Sequence, residues 1–215
     1  DTLWARSVSP WGAAGPARRI DTAGGRVTDV RMVGGRDGEV FVAWTHLDGI
    51  RYNVWVSRYT PGAGWDTAHA LEAATESAYQ VRVGADARGN AVVAWYQFDG
   101  AGHDVWGTGG GVGGAWSPAQ RIESFAGSAT APELAMSAAG VAFATWTHFD
   151  GTRNSVWSAR YTPAAGWQGA QLVDAANTQD RIDPRIAVSA RGDAVVIWSE
   201  DAGGRRTVAG SPYPK

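Results

Sequence analysis

Residues 44–65 read WTHLDGIRYNVWVSRYTPGAGW, and residues 146–167 read WTHFDGTRNSVWSARYTPAAGW. The two stretches agree at 15 of 22 positions, which points to duplication of one unit. All twelve tryptophans of the chain fall into three series with the same period. Trp44, Trp95, Trp146 and Trp198 lie 51, 51 and 52 residues apart. Trp4, Trp55, Trp106 and Trp157 lie 51 apart, with Val208 in the next place. Trp11, Trp65, Trp116 and Trp167 are spaced 54, 51 and 51. Self-similarity at a fixed period near fifty residues marks a repeat architecture.

Within a unit every segment reads as β-strand. A short apolar run (Val81–Ala85) precedes the turn Asp86-Ala-Arg-Gly-Asn90. The run Ala91–Trp95 is continuous rather than alternating, as expected of a strand covered on both faces. Tight turns follow at Asp48-Gly49, Asp99-Gly100 and Asp150-Gly151; glycine supplies the positive φ that hairpin turns need. Third strands carry the middle tryptophan (Asn53–Tyr59, Ser155–Tyr161), and short fourth strands follow at Ala68–Glu72, Ala119–Glu123 and Ala170–Val173. No stretch has a capped 3.6-residue period. Four antiparallel strands per repeat predict an all-β fold, a β-propeller of four-stranded blades.

The predicted units are 1–24 (partial), 25–76, 77–127, 128–178 and 179–215 (partial), within one propeller domain spanning 1–215. The first offers a third and fourth strand (Leu3–Val8, Ala17–Asp21). The last offers a first and second strand (Arg185–Ser189, Ala194–Ser199) and a further one at Arg206–Tyr213. Pairing the N- and C-terminal strands would complete one composite blade and close a four-bladed ring, removing exposed sheet edges. The surplus third strand keeps two alternatives open: five blades, or a fragment of a larger propeller.

Composition narrows the functional classes. The formal net charge is −2, which lacks the basic stripe of a nucleic-acid binder. No run is long and apolar enough for a membrane-inserted helix. With no cysteine, thiol catalysis and cysteine-ligated zinc are excluded. Nothing implies a cofactor or a metal. Abundant alanine and glycine, with arginine used almost to the exclusion of lysine, fit a GC-rich bacterial source.

The turn Arg-Tyr-Thr-Pro-Gly-Ala-Gly-Trp (58–65), with its copy at 160–167, resembles the Asp-box turn of sialidase-like (BNR-type) propellers, with Gly62, Gly113 and Ala164 in or near the Asp place. The segments GNAVVAW (89–95) and GDAVVIW (192–198) are similar to tandem repeats of large secreted bacterial proteins. The resemblance implies a propeller fold and a secreted or cell-surface location, and it invites a glycosidase reading built on an arginine triad.

Arginines do recur on the first strands, at Arg31, Arg82 and Arg185, with Glu133 at the remaining place and Asp29, Gln80, Ala131 and Asp183 just before. His46 and His148 are equivalent, with Gln97 and Glu200 at the other two places, and Asp48, Asp99, Asp150 and Asp201 follow in the turns. The face carrying the second-to-third-strand loops also gathers Tyr52, His103, Asp104 and Arg153. Polar groups beside aromatic rings suit glycan recognition. Because a catalytic centre needs different groups in different roles, regular repetition favours binding over catalysis. The expectation is therefore a non-catalytic, lectin-like or adhesive propeller. Its candidate ligand-binding residues are His46, Asp48, Tyr52, Gln97, Asp99, His103, His148, Asp150, Arg153, Arg31, Arg82 and Arg185. Its expected partner is a glycan or a surface protein, and its expected state a monomer or a strand-exchanged oligomer. Two alternatives remain: a protein-interaction scaffold, and a sialidase-like glycoside hydrolase or lyase.

Overall fold

The computed structural model describes residues 2–22, 24–72, 75–111, 113–123, 125–174, 179–201 and 206–212. Parts of the connections between sheets, at 73–74, 124 and 175–178, and the end of the last expected strand at Tyr213 lie outside these residues.

Among the described residues, nineteen strands form five successive antiparallel sheets. The first is a ribbon of β1 (Trp4–Ala5) and β2 (Arg18–Arg19). The second holds β3 (Arg26–Gly34), β4 (Val40–Leu47), β5 (Tyr52–Thr60), β6 (Gly64–Trp65) and β7 (His69–Ala70), the last two both on the edge of β5. The third holds β8 (Ala78–Ala85), β9 (Ala91–Phe98), β10 (His103–Gly110) and β11 (Gln120–Arg121). The fourth repeats the second with β12 (Ser128–Met136), β13 (Ala142–Phe149), β14 (Asn154–Thr162), β15 (Gly166–Trp167) and β16 (Gln171–Leu172). The fifth has β17 (Arg181–Val188), β18 (Ala194–Asp201) and β19 (Arg206–Pro212). No described helix is long and apolar enough to cross a membrane.

The repeat explains the pairing. Trp44 lies opposite Trp55, Trp95 opposite Trp106 and Trp146 opposite Trp157. The second strands alternate between two covered faces, which is why they read as unbroken apolar runs. Val42 and Trp44 pack back on Leu3, Ala5 and Ile20 of the ribbon. Ala43, with Val54, Val56 and Leu71, packs forward on Val81, Val93 and Trp95 of the third sheet. The same junction recurs between the third and fourth sheets, with Ala94, Val105 and Ile122 against Trp146, Trp157 and Trp167. The first strands β3, β8, β12 and β17 pack side by side as the inner strands.

Two expectations need correction. The N- and C-terminal strands share no sheet among the described residues: β1 pairs with β2, while β19 holds the edge of β18 along seven positions. Both ends bring a third strand, and one four-stranded blade has room for one. The middle-tryptophan place in the fifth sheet is taken by Ala209, opposite Trp198, and not by Val208. The extra residue behind the spacing of 52 precedes β17, so it shifts every later place by one.

Candidate functional site

Each first strand is bulged at the same point, between Thr28 and Arg31, Tyr79 and Arg82, Thr130 and Glu133, and Ile182 and Arg185. Within each bulge one non-glycine residue is left-handed: Asp29 (φ 49°), Gln80 (51°), Ala131 (53°) and Asp183 (54°). Such residues cost about 1–3 kcal/mol each and persist where the surroundings impose them. The bulge re-aims the next side chain. Arg82 thereby makes two hydrogen bonds to Glu133 on the neighbouring sheet, Nε to Oε2 at 3.2 Å and Nη2 to Oε1 at 3.1 Å. Arg185 reaches the same carboxylate from the other side at 3.4 Å. Arg31 pairs with Asp29 at 2.8 Å. The arginines thus lie along the inner strands, and two of them converge on Glu133.

The turn aspartates bind their own hairpins. Asp48 accepts from the backbone N–H of Ile50 (3.0 Å) and Arg51 (3.1 Å) and from Asn53 Nδ2 (2.9 Å), and these hydrogen bonds lower its pKa to about 2. Asp99 and Asp150 accept the corresponding backbone N–H pairs and are lowered for the same reason. Arg153 stands 3.9 Å from Asp150. His46 and His148 are buried, their Nε2 atoms 2.8 and 3.1 Å from the carbonyl oxygens of Gly24 and Ala126. Gln97 is buried too, donating to Glu76 O at 2.7 Å and accepting from Trp95 Nε1 at 3.1 Å. Among the described residues no three His, Asp or Glu side chains cluster to hold a metal.

Tyr52 and His103 belong to a different environment. Their rings join those of Tyr79, Tyr96 and Phe98 in one partly exposed cluster. Ring centroids are 5.6 Å apart for Tyr52–Tyr79, 5.5 Å for Tyr79–Tyr96, 5.1 Å for Tyr96–His103 and 5.3 Å for Phe98–His103. His103 Nδ1 lies 3.3 Å from Ser128 Oγ on the next sheet, which orients the imidazole. Burial raises the pKa of Tyr96, helped by Tyr79 and by the charge of Asp29, so the phenol holds its proton. Here the repeat is broken. Tyr79 and Tyr96 stand where the second sheet pairs Thr28 with Thr45 and the fourth pairs Thr130 with Thr147. Neither tyrosine was among the candidates, yet departure from the repeat at these two places is a signal the sequence carries.

A second ionisable group lies beyond the same hairpin. Asp99, Asp104, Arg121 and Phe125 line a shallow hollow of about 440 Å³. Arg121 Nη1 is 2.9 Å from Asp104 and 3.6 Å from Asp99. Beneath them Glu123 is buried, 3.4 Å from His148 Nδ1. Burial pushes its carboxyl up to about 7, against a hydrogen bond from the Phe125 N–H and with the help of Asp104. Glu123 continues a fourth periodic series, Asp21, Glu72, Glu123 and Asp174, at 51-residue spacing, which is a further signal in the sequence.

No protein-family model and no curated protein sequence matches the chain. Solved structures do. A Hadza microbial sialidase superposes with a TM-score of 0.58 at 11% identity, covering 86% of this chain and 44% of its own. The GH93 α-L-arabinofuranosidase of Fusarium graminearum in complex with arabinobiose gives 0.55 at 11% identity, covering 86% and 61%. A PL25 ulvan lyase bound to a GlcA-Rha3S saccharide gives 0.50 at 14%, covering 90% and 57%. The fold is that of the sialidase-like β-propellers. The chain spans between 44% and 61% of the length of these three structures. The same comparison overturns the expectation of a non-catalytic binding domain, since the similar propellers are glycoside hydrolases and a polysaccharide lyase. The regularity behind that expectation is itself incomplete, since Tyr79 and Tyr96 break the repeat in the third sheet.

Proposed function

We propose that this chain forms part of a glycan-cleaving propeller whose reacting groups are Tyr96 and His103. The observation that carries the reading is the tyrosine–histidine cluster, in which Tyr79 and Tyr96 stand where the second and fourth sheets carry threonine. The flat faces of Tyr52 and Tyr79 suit stacking against sugar C–H faces. Tyr96 and His103 set a protonated phenol beside an imidazole, one able to give a proton and the other to take one. Glycosidases generally work through two carboxyl groups flanking the scissile bond. A phenol and an imidazole suit elimination from a uronate-containing glycan better. His103 takes the proton from the carbon next to the uronate carboxylate. That electron pair forms the ring double bond as the glycosidic C–O bond breaks, and Tyr96 gives its proton to the leaving oxygen. Arg31, partly exposed beside Asp29, supplies positive charge for the uronate carboxylate.

The test is depolymerisation of uronate-containing polysaccharides, read both as new reducing ends and as ultraviolet absorbance of the unsaturated product. Tyr96→Phe keeps the ring and removes the proton donor, so turnover should fall by a factor of about 10²–10⁴. Reducing ends without absorbance would mean hydrolysis and would remove the elimination step. Full activity in Tyr96→Phe would place the chemistry elsewhere.

A further inference from the structure

The two ends of the stack expose surfaces that the interior junctions bury. On the second strands, Phe41, Ala43, Val92, Ala94, Phe143 and Thr145 are all buried. Their equivalents on β18, Val195 and Ile197, are 53% and 43% exposed. On the third strands Val54, Val105 and Val156 are buried, whereas Val208 at the same place is 75% exposed. At the other end Val30 and Met32 are 39% and 71% exposed, although Val81, Pro132 and Pro184, at the place of Val30, are buried. Val30 and Met32 line an apolar cavity of about 540 Å³ with Leu3, Ala5, Val40 and Val42, beside β1.

The fifth sheet is also out of pattern in its pairing. Trp198 faces Ala209, where each complete sheet sets tryptophan opposite tryptophan. The missing ring is on β1: Trp4, 58% exposed, on a strand paired along one edge only, with β2. The strand now on β18 is a weak occupant, because Gly210 and Pro212 lie within it and proline has no N–H for the ladder.

We infer that β1 and β2 of one copy complete the fifth sheet of a second copy, β1 taking the edge of β18 that β19 occupies in the isolated chain. In the register of the complete sheets, Trp4 then lies opposite Trp198 and Ala5 opposite Ile197. Val195 and Ile197 cover Val30 and Met32 and fill the cavity, and β2 supplies the fourth strand that the fifth sheet lacks. The occupant is a second copy because no pairing joins the ribbon to the fifth sheet among the described residues, while the two exposed ends match each other, Trp4 with Trp198 and Val30 and Met32 with Val195 and Ile197. Reciprocal exchange closes the assembly with two-fold symmetry. Two copies then give six complete and two composite sheets, a ring of eight blades, within the known range for propellers.

The chain has no cysteine, so a double variant, Ala5→Cys with Ile197→Cys, reports on this pairing alone. Opposed positions in adjacent strands lie close enough for a disulfide. The expected results are a light-scattering mass twice that of one chain at tens of micromolar, and a covalent dimer on a non-reducing gel after oxidation of the variant. Ile197→Glu should halve the mass while keeping the circular dichroism spectrum of folded sheets. A wild-type mass of one chain at every concentration would overturn the inference. So would a disulfide formed only within single chains, which would mean closure as a four-sheet ring, or no disulfide at all.

Discussion

Replacing Glu123 by glutamine should stabilise the protein at alkaline pH and flatten its dependence on pH. Glu123 is buried between Phe125, Asp104 and His148, and burial raises its carboxyl from an ordinary 4.5 to about 7. For an acid whose folded-state value is raised, the folded form binds more protons than the unfolded form between those two values. Stability is then fully present below pH 4.5 and is lost as pH climbs toward 7. With each pH unit of difference worth about 1.4 kcal/mol, the loss is on the order of 3 kcal/mol. For a chain of this length each kcal/mol moves the melting temperature by about 2–4 °C, so the wild type should melt roughly 5–10 °C lower at pH 8 than at pH 5. Asp104, also raised by burial, adds in the same direction, whereas the lowered Asp48, Asp99 and Asp150 titrate below this window. Glutamine keeps the acceptor for the Phe125 N–H and carries no charge. Thermal unfolding at the two pH values decides the matter. Equal melting temperatures for the wild type, or a glutamine variant less stable than wild type at pH 8, would refute the reasoning.

Three further outcomes follow from the packing. Trp146→Ala removes a fully buried ring from the junction of the third and fourth sheets and should cost about 3–5 kcal/mol, read by urea unfolding. Glu133→Gln takes the shared partner from Arg82 and Arg185; with these groups only partly buried, the loss should be about 2 kcal/mol and should shrink at high salt. Gly109→Val places a Cβ 2.1 Å from the Tyr161 hydroxyl, so the ring must move, at about 1–3 kcal/mol by chemical denaturation.

The tryptophan period makes most of the fold legible in the sequence. It placed the strands within a few residues and read Ala91–Trp95 correctly as covered on both sides. What it missed depends on which edges meet. On the edge of β18 the structure seats β19, although β1 is the strand that carries the tryptophan of the repeat, so the period alone does not predict which of the two pairs there. At the site, the aspartate turns and the recurrent arginines drew attention because they repeat. Tyr79 and Tyr96 are marked by the opposite feature: they interrupt the repeat at places where the second and fourth sheets carry threonine. Glu123 did follow a strict period, but its significance comes from burial, which spacing alone does not show.

A glycan site on the tyrosine–histidine cluster is best checked by a crystal structure with a bound uronate-containing oligosaccharide. A sugar ring should lie in van der Waals contact, within about 4 Å, of Tyr79 or Tyr96, with His103 facing the uronate ring. A saccharide seated instead in the hollow beside Arg121, or along the apolar cavity at Met32, with the tyrosine faces open to solvent, would contradict it.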